Sequence, residues 1–319
     1  MDPPIKAASL LEVRNLSVSV SSWKETKELI HRVSLSVHRN EVLVLLGESG
    51  SGKTVLSRSL TKLFPPTRPM ILEGSVVFEG RQLLSLDEPE LRPIRRKMIR
   101  YVFQDPMQSL NPLANLRTQL HLSNESTSGN DSLLKDTLEL VGLDAKQVSG
   151  LFPHQLSIGM AQRVCIAMAV LPSPSLLIAD EPTSAVDASL RYQLIDMLMS
   201  IQRRMAMSLI LITHDLVLAR SYGTRIAVLY GGRIIESAPR EAFFEKQLHP
   251  YSRLLVHATQ TPNTIVADQS PPPLPGGTIA ESGCRFHLHC PIVRERCRES
   301  EPDLEQSPGE REVRCFFWK

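Results

Sequence analysis

Gly47-Glu48-Ser49-Gly50-Ser51-Gly52-Lys53-Thr54 is the stretch on which the fold turns. It fits the spacing G-x-x-x-x-G-K-[ST], whose glycines let the backbone wrap phosphate oxygens and turn successive N–H groups inward. The apolar run Val42-Leu43-Val44-Leu45-Leu46 before it reads as a buried strand. The stretch from Thr54 to Phe64 after it reads as a helix stopped by Pro65 and Pro66. Strand, loop and helix are the context this spacing needs. Gly47, Ser49, Gly50, Ser51 and Gly52 then form the cradle, Lys53 supplies a point charge for β- and γ-phosphates, and Thr54 offers its hydroxyl to Mg²⁺.

A second apolar run, Leu176-Leu177-Ile178-Ala179, ends in Asp180 and Glu181. Asp180 at a strand end can hold Mg²⁺ through water, and Glu181 is placed to polarise an attacking water. Around these runs, helical and strand patterns alternate from Met160 to Tyr230, which predicts a parallel sheet with helices on its faces. Residues 10 to 46 read as strands. The polar segment from Asp105 to about Leu156 reads as an inserted helical subdomain. Near residue 260 a Pro-rich connector begins, too poor in apolar residues to pack alone, and a cysteine-bearing tail follows.

Composition limits the alternatives. The 319 residues carry 36 Lys plus Arg against 34 Asp plus Glu, a formal charge of +2, which excludes a wholly basic nucleic-acid coat. No apolar run nears the roughly 18 residues that cross a bilayer, and the opening MDPPIKAASLLEVRN lacks the apolar core of a signal peptide. Any membrane link is therefore expected to run through a partner.

With these residues in hand, the chain resembles the ATP-binding-cassette ATPases over residues 10 to 260, about four fifths of its length. Leu156-Ser157-Ile158-Gly159-Met160-Ala161-Gln162-Arg163 stands where that family has its signature motif. Gln104 matches the Q-loop glutamine, Ser184-Ala185-Val186-Asp187 the D-loop, and His214 the switch histidine. The resemblance implies an α/β P-loop NTPase core with an antiparallel β subdomain and an inserted helical subdomain at about 105–164. Two cassettes would sandwich two ATP molecules. Ser157 and Gly159 would face the partner's γ-phosphate, His214 would hold the water with Glu181, and Gln104 would join Thr54 at Mg²⁺. Asp215 is read as structural.

Two departures stand out. The signature consensus has glycine where Ile158 stands. If that glycine serves close backbone approach or a positive φ, Ile158 impairs the site this signature completes; otherwise the loop tolerates it. The adenine-stacking aromatic is replaced near Val20, leaving Trp23 either as the stacking ring or as a loop-tip residue without nucleotide contact.

Gln104-Asp105-Pro106-Met107-Gln108-Ser109-Leu110-Asn111-Pro112, Pro153-His154-Gln155-Leu156 and His249-Pro250-Tyr251 are similar to the oligopeptide/dipeptide importer ATPases, and Met160 to their D-type subunit. This implies an ABC nucleotide-binding domain at 1–260 and an importer-type extension at 261–319. The implied partners are a second ATPase subunit in a heterodimer, two membrane permeases and an extracytoplasmic peptide-binding protein, without nucleic acid. The implied place is the cytoplasmic face of a bacterial inner membrane, with the loop after Gln104 as the permease seat. Nickel or cationic-peptide cargo is an alternative, as is a regulatory half-partner with one degenerate site. A soluble cassette of DNA repair or translation fits less well, because only one phosphate loop is present and the insertion is short.

Cys284, Cys290, Cys297 and Cys315 are spaced C-x5-C-x6-C-x17-C, too widely for the tight pairs typical of structural zinc. A [4Fe–4S] cluster, which some importer-branch members carry in this extension, zinc, or free thiols all remain open. Phe316, Phe317 and Trp318 would shield a cluster or simply pack, His287 and His289 are read as solvated, and Cys165 as an inert buried thiol.

Overall fold

The computed structural model describes residues 9–21, 25–65, 67, 69–124, 131–260, 279–280 and 282–319. Its strands run β1 (Ser9–Ser21), β2 (Thr26–His38), β3 (Val42–Leu46), β4 (Met70–Phe78), β5 (Arg81–Gln82) and β6 (Ile99–Val102), then β7 (Leu176–Asp180), β8 (Ser208–Thr213), β9 (Arg225–Tyr230), β10 (Arg233–Pro239), β11 (Glu305–Ser307) and β12 (Arg311–Val313). Two compact units alternate along the chain. The first comprises Met1–Glu12, Ser36–Val42 and Val76–Ile212; the second comprises Val13–Leu35, Leu43–Ser75 and Thr213–Lys319.

In the first unit β6, β7 and β8 lie parallel, with Ile99 opposite Leu176 and Leu176 opposite Ser208. Every residue of β7 and of β8 is buried. A strand covered on both faces needs no alternation, which is why both read as continuous apolar runs. The helix Ile158–Val170 buries eight residues and packs against the shorter helices Pro106–Ser109, Leu116–Asn124 and Asp131–Leu140. Arg100 on β6 ties this layer down by donating to the Met168 carbonyl and to Ser123 Oγ. Buried Gln119 accepts from Asn111 N–H and donates to the Asn111 and Ala114 carbonyls, closing the loop after Gln104.

In the second unit β3 runs parallel to β9, Leu43 opposite Arg225 and Leu46 opposite Val228. The residues of β3 are at most 4% exposed; full burial of each such side chain contributes roughly 1.5–3 kcal/mol. β9 and β10 form a hairpin whose turn, Gly231-Gly232, has φ of 53° and 76°. Two positive φ values in a two-residue turn match the strand twist, and a Cβ on Gly232 would lie 2.3 Å from the Leu29 carbonyl oxygen. β12 adds antiparallel to β10, Glu236 opposite Val313, and β11 adds to β12. The tail that the sequence set apart after residue 260 thus extends the sheet that carries the phosphate loop, instead of forming a separate appendage. The Pro-rich connector lies outside the described residues.

Candidate functional site

The phosphate loop leaves the end of β3 in the second unit. Gly47 sits where a Cβ would meet the Leu229 carbonyl oxygen at 2.4 Å, so β9 presses directly on the loop. Gly50 and Gly52 have φ of 82° and 104°, which side-chain-bearing residues rarely adopt. Space around Gly50 is open, leaving that backbone accessible to a ligand. Lys53 is 5% exposed and folds back, its Nζ donating to the carbonyls of Gly47 (2.7 Å) and Glu48 (2.8 Å). Ser49 is exposed and Thr54 half-buried at the start of the helix Lys53–Ser59. Gly232 N–H donates to the Ser51 carbonyl at 2.9 Å, so the β9–β10 turn braces the loop from outside. An anion bound in this loop would meet backbone donors, a helix start and the Lys53 charge together.

His214 is exposed in the same unit, in the turn after β8. Asp215 caps the helix Leu216–Tyr222, its Oδ1 accepting from Val217 N–H (2.8 Å) and Leu218 N–H (3.2 Å). That is the structural role read from the sequence. Trp23 lies outside the described residues.

In the first unit Asp180 is 4% exposed at the end of β7, opposite Ile212 of β8. Glu181 follows with φ 46°, an unusual conformation for a non-glycine residue. It is pinned on both sides: its N–H donates to the Ile212 carbonyl, and its own carbonyl accepts from Ser184 N–H and Oγ. The D-loop Ser184–Asp187 starts from that anchor, with Val186 buried and Ser184 and Asp187 exposed. Gln104 is exposed at the end of β6, and Asp105 beside it caps Pro106–Ser109.

Ser157 is the N-cap of Ile158–Val170, its Oγ accepting from Met160 N–H at 3.2 Å. Ile158 is the first helical residue and 51% exposed. It is absent from the positive-φ positions, so this backbone needs no glycine for its conformation, and only side-chain bulk is left from the reasoning about Ile158. A Cβ on Gly159 would meet nothing nearer than Leu190 at 4.0 Å. Buried Cys165 has its thiol pushed up to about 12, by burial first and Asp105 second, as suits an inert core residue.

In the extension, Cys284, Cys290, Cys297 and Cys315 line one small pocket with Phe316 and Phe317. All four are free thiols. Burial, and then the neighbouring thiols, push Cys284 up to about 11; burial likewise raises Cys290 and Cys315. Among the described residues no three His, Cys, Asp or Glu side chains converge closely enough for a single metal ion. The histidines correct the sequence reading. His287 lines the cavity and its Nδ1 sits 3.0 Å from the Cys284 carbonyl, while His289 Nε2 is buried without a partner, so neither is simply solvated. Arg296 stacks 4.0 Å over Phe316 and Arg294 4.2 Å over Phe317, whereas Trp318 points its Nε1 to Glu305.

The model of the ABC transporter family matches residues 30–184, and that of the oligopeptide/dipeptide transporter C-terminal region matches residues 235–297. The dipeptide transport ATP-binding protein DppD of Haemophilus influenzae is 37% identical, over 96% of this chain and 95% of its own. The chain belongs to the ABC transporter ATPases. Within them it is also similar to the oligopeptide transport ATP-binding protein AppD of Bacillus subtilis, 33% identical over 98% of each chain. Among solved structures, a dimeric post-hydrolysis state of the ATP-binding cassette MJ0796 bound to ADP and Pi matches with a TM-score of 0.64 and 27% identity, over 72% of this chain and 98% of that one. Hydrolysis of ATP coupled to transport is the activity of this ATPase family. One packing feature was not legible beforehand: the Tyr251 ring meets Tyr230 and Phe286, and only the triplet His249-Pro250-Tyr251 marked the place.

Proposed function

We propose that this chain is the ATP-binding and ATP-hydrolysing subunit of a bacterial importer that carries di- and oligopeptides across the inner membrane. The observation that carries the reading is the phosphate loop itself, with Lys53 held at its centre by the Gly47 and Glu48 carbonyls and ready to exchange them for phosphate oxygens. Gly47, Ser49, Gly50, Ser51 and Gly52 wrap the phosphates, and Thr54, Asp180 and Gln104 hold Mg²⁺. Glu181 and His214 orient the attacking water. Ser157 and Gly159 serve the nucleotide of a second cassette, forming a heterodimer. Two permeases dock on the loop after Gln104, residues 105–112, next to Leu113, which is 89% exposed, and an extracytoplasmic binding protein delivers the peptide. The chain sits peripherally on the cytoplasmic face; among the described residues no helix is long and apolar enough to cross a membrane.

The domain reading is a cassette at 1–260 and an importer-type extension at 261–319, in which Cys284, Cys290, Cys297 and Cys315 hold a [4Fe–4S] cluster. Four cysteines around one cavity walled by Phe316 and Phe317 support it. Such a cluster would act as a structural staple, its ligation stabilising a small segment.

Two measurements test this. Binding of Mg·ATP to the purified chain should weaken about 10- to 100-fold in Lys53→Ala, the loss of charge-assisted hydrogen bonds; unchanged binding would refute the nucleotide site. Protein purified without oxygen should carry about four irons and four acid-labile sulfides per chain, lost on Cys290→Ser with Cys297→Ser. Zinc alone, or no metal, would refute the cluster.

A further inference from the structure

The Gly231-Gly232 turn that braces the phosphate loop is itself covered by two distant segments of the chain. His31 of β2 lies across one glycine: a Cβ on Gly232 would stand 2.8 Å from its Cδ2. Ile279 and Arg285 of the extension cover the other, 3.1 and 3.6 Å from where a Cβ on Gly231 would be. His31 is 8% exposed and tied to the turn by its main chain, its N–H donating to the Gly232 carbonyl at 2.9 Å. Arg233 Nη1 donates to the His31 carbonyl at 3.2 Å.

The imidazole joins the two segments. Arg285 Nη2 lies 3.1 Å from His31 Nδ1. A guanidinium only donates, so this nitrogen accepts and the ring is neutral, with its proton on Nε2. Glu28 Oε2 stands 3.0 Å from the same nitrogen, which would bond it only in a protonated ring. Burial first, and then the Arg285 charge, hold the imidazole below its ordinary 6.5 against the opposing pull of Glu28.

From His31 the path to the phosphate loop is two hydrogen bonds long. His31 N–H holds the Gly232 carbonyl, and Gly232 N–H holds the Ser51 carbonyl, each at 2.9 Å. In a planar trans peptide the Ser51 carbonyl and the Gly52 N–H point opposite ways, so a donor on that outer oxygen turns the N–H into the cradle. Ile30, beside His31, closes on the same residue: a Cβ on Gly52 would lie 2.8 Å from Ile30 Cδ1.

We propose that His31 is a positioning residue of the nucleotide site: its Nδ1 takes Arg285 from the extension, and this clasp steadies the Gly231-Gly232 turn and so keeps the Gly52 N–H aimed at the phosphates of ATP. The extension thereby supports the phosphate loop through Arg285, independently of any metal in the cysteine cavity. The proposal rests on the phosphate-loop reading above.

The test is Mg·ATP affinity by calorimetry on the full chain, beside its melting temperature. Arg285→Met removes the guanidinium and keeps the stem; His31→Phe keeps a ring without the acceptor; His31→Asn puts a side-chain carbonyl in place of Nδ1. Arg298→Ala, exposed on the extension helix Glu295–Glu299, is the control. Arg285→Met and His31→Phe should each weaken binding about three- to tenfold, the size of one hydrogen bond to a charged group, while His31→Asn recovers most of the loss and Arg298→Ala shows none. The double variant His31→Phe with Arg285→Met should bind no more weakly than the worse single one, because both remove one contact. In the assembled transporter Arg285→Met should raise KM for ATP and leave kcat near wild type. Wild-type affinity in Arg285→Met, losses that multiply in the double variant, or His31→Asn as weak as His31→Phe would overturn the proposal while leaving the nucleotide site intact. So would a loss in Glu28→Ala as large as that in Arg285→Met, since Nδ1 would then serve Glu28. Should His31→Phe fail to fold, Arg285→Met alone and combined with His31→Asn decides in the same way. Failure of the wild-type chain to bind Mg·ATP would overturn that site and the proposal with it.

Discussion

Glu181 sits in the left-handed region at φ 46° and is kept there by the Ile212 carbonyl on one side and Ser184 on the other. Such a backbone costs about 1–3 kcal/mol and persists where surrounding bonds over-determine it, which is common at catalytic positions. Its residue type was legible as an acid after a buried strand, but its backbone was not, because no local pattern marks a strained glutamate. Ile158 shows the converse. The sequence flagged it by comparison with a family glycine, and the structure places it in ordinary helix, half in solvent. Whatever it does to a facing nucleotide, it does by bulk. Substituting Ile158→Gly should therefore raise ATP hydrolysis by the assembled complex several-fold, and unaltered turnover would retire the idea.

At the scale of elements, β3, β7 and β8 were legible because strands buried on both faces are written as apolar runs. β10 was not, since Glu236 interrupts it. That carboxylate is fully buried yet satisfied by Leu248 N–H and His249 N–H from the next turn of the chain and by Arg311 from 75 residues on. The cap at His249 carries a pH signature. Burial first, then Arg253 and Arg314, hold its imidazole down to about 3 in the folded chain, from an ordinary 6.5. The unfolded chain takes up a proton near pH 6.5, whereas the folded chain does not until far lower. Stability present above pH 6.5 is thus lost as pH falls towards the folded value. Urea denaturation at pH 7 and pH 5 should show the wild type losing about 2 kcal/mol more than His249→Asn, which keeps a cap acceptor without that titration. Equal losses would mean His249 is charged in the fold.

For the molecule as a whole, the motifs that decide the family are short and local, so the cassette was readable from one sequence. What escaped was long-range. Nothing in Arg311-Glu312-Val313 says that it pairs with a strand some 75 positions earlier, Glu236 opposite Val313, and so carries the extension onto the sheet of the phosphate loop. Nor do wide cysteine gaps say that four thiols share a cavity with two phenylalanines. Both follow from packing that only the folded chain defines. The central claim, that this ATPase powers peptide import, is tested most directly by ATP-dependent uptake of a labelled dipeptide into inside-out-free, right-side-out membrane vesicles of cells carrying the wild-type chain or Glu181→Gln. Uptake should fall at least about 100-fold in the variant, the loss expected when a general base is removed, with the chain still bound to the membrane. Undiminished uptake in Glu181→Gln would contradict the account.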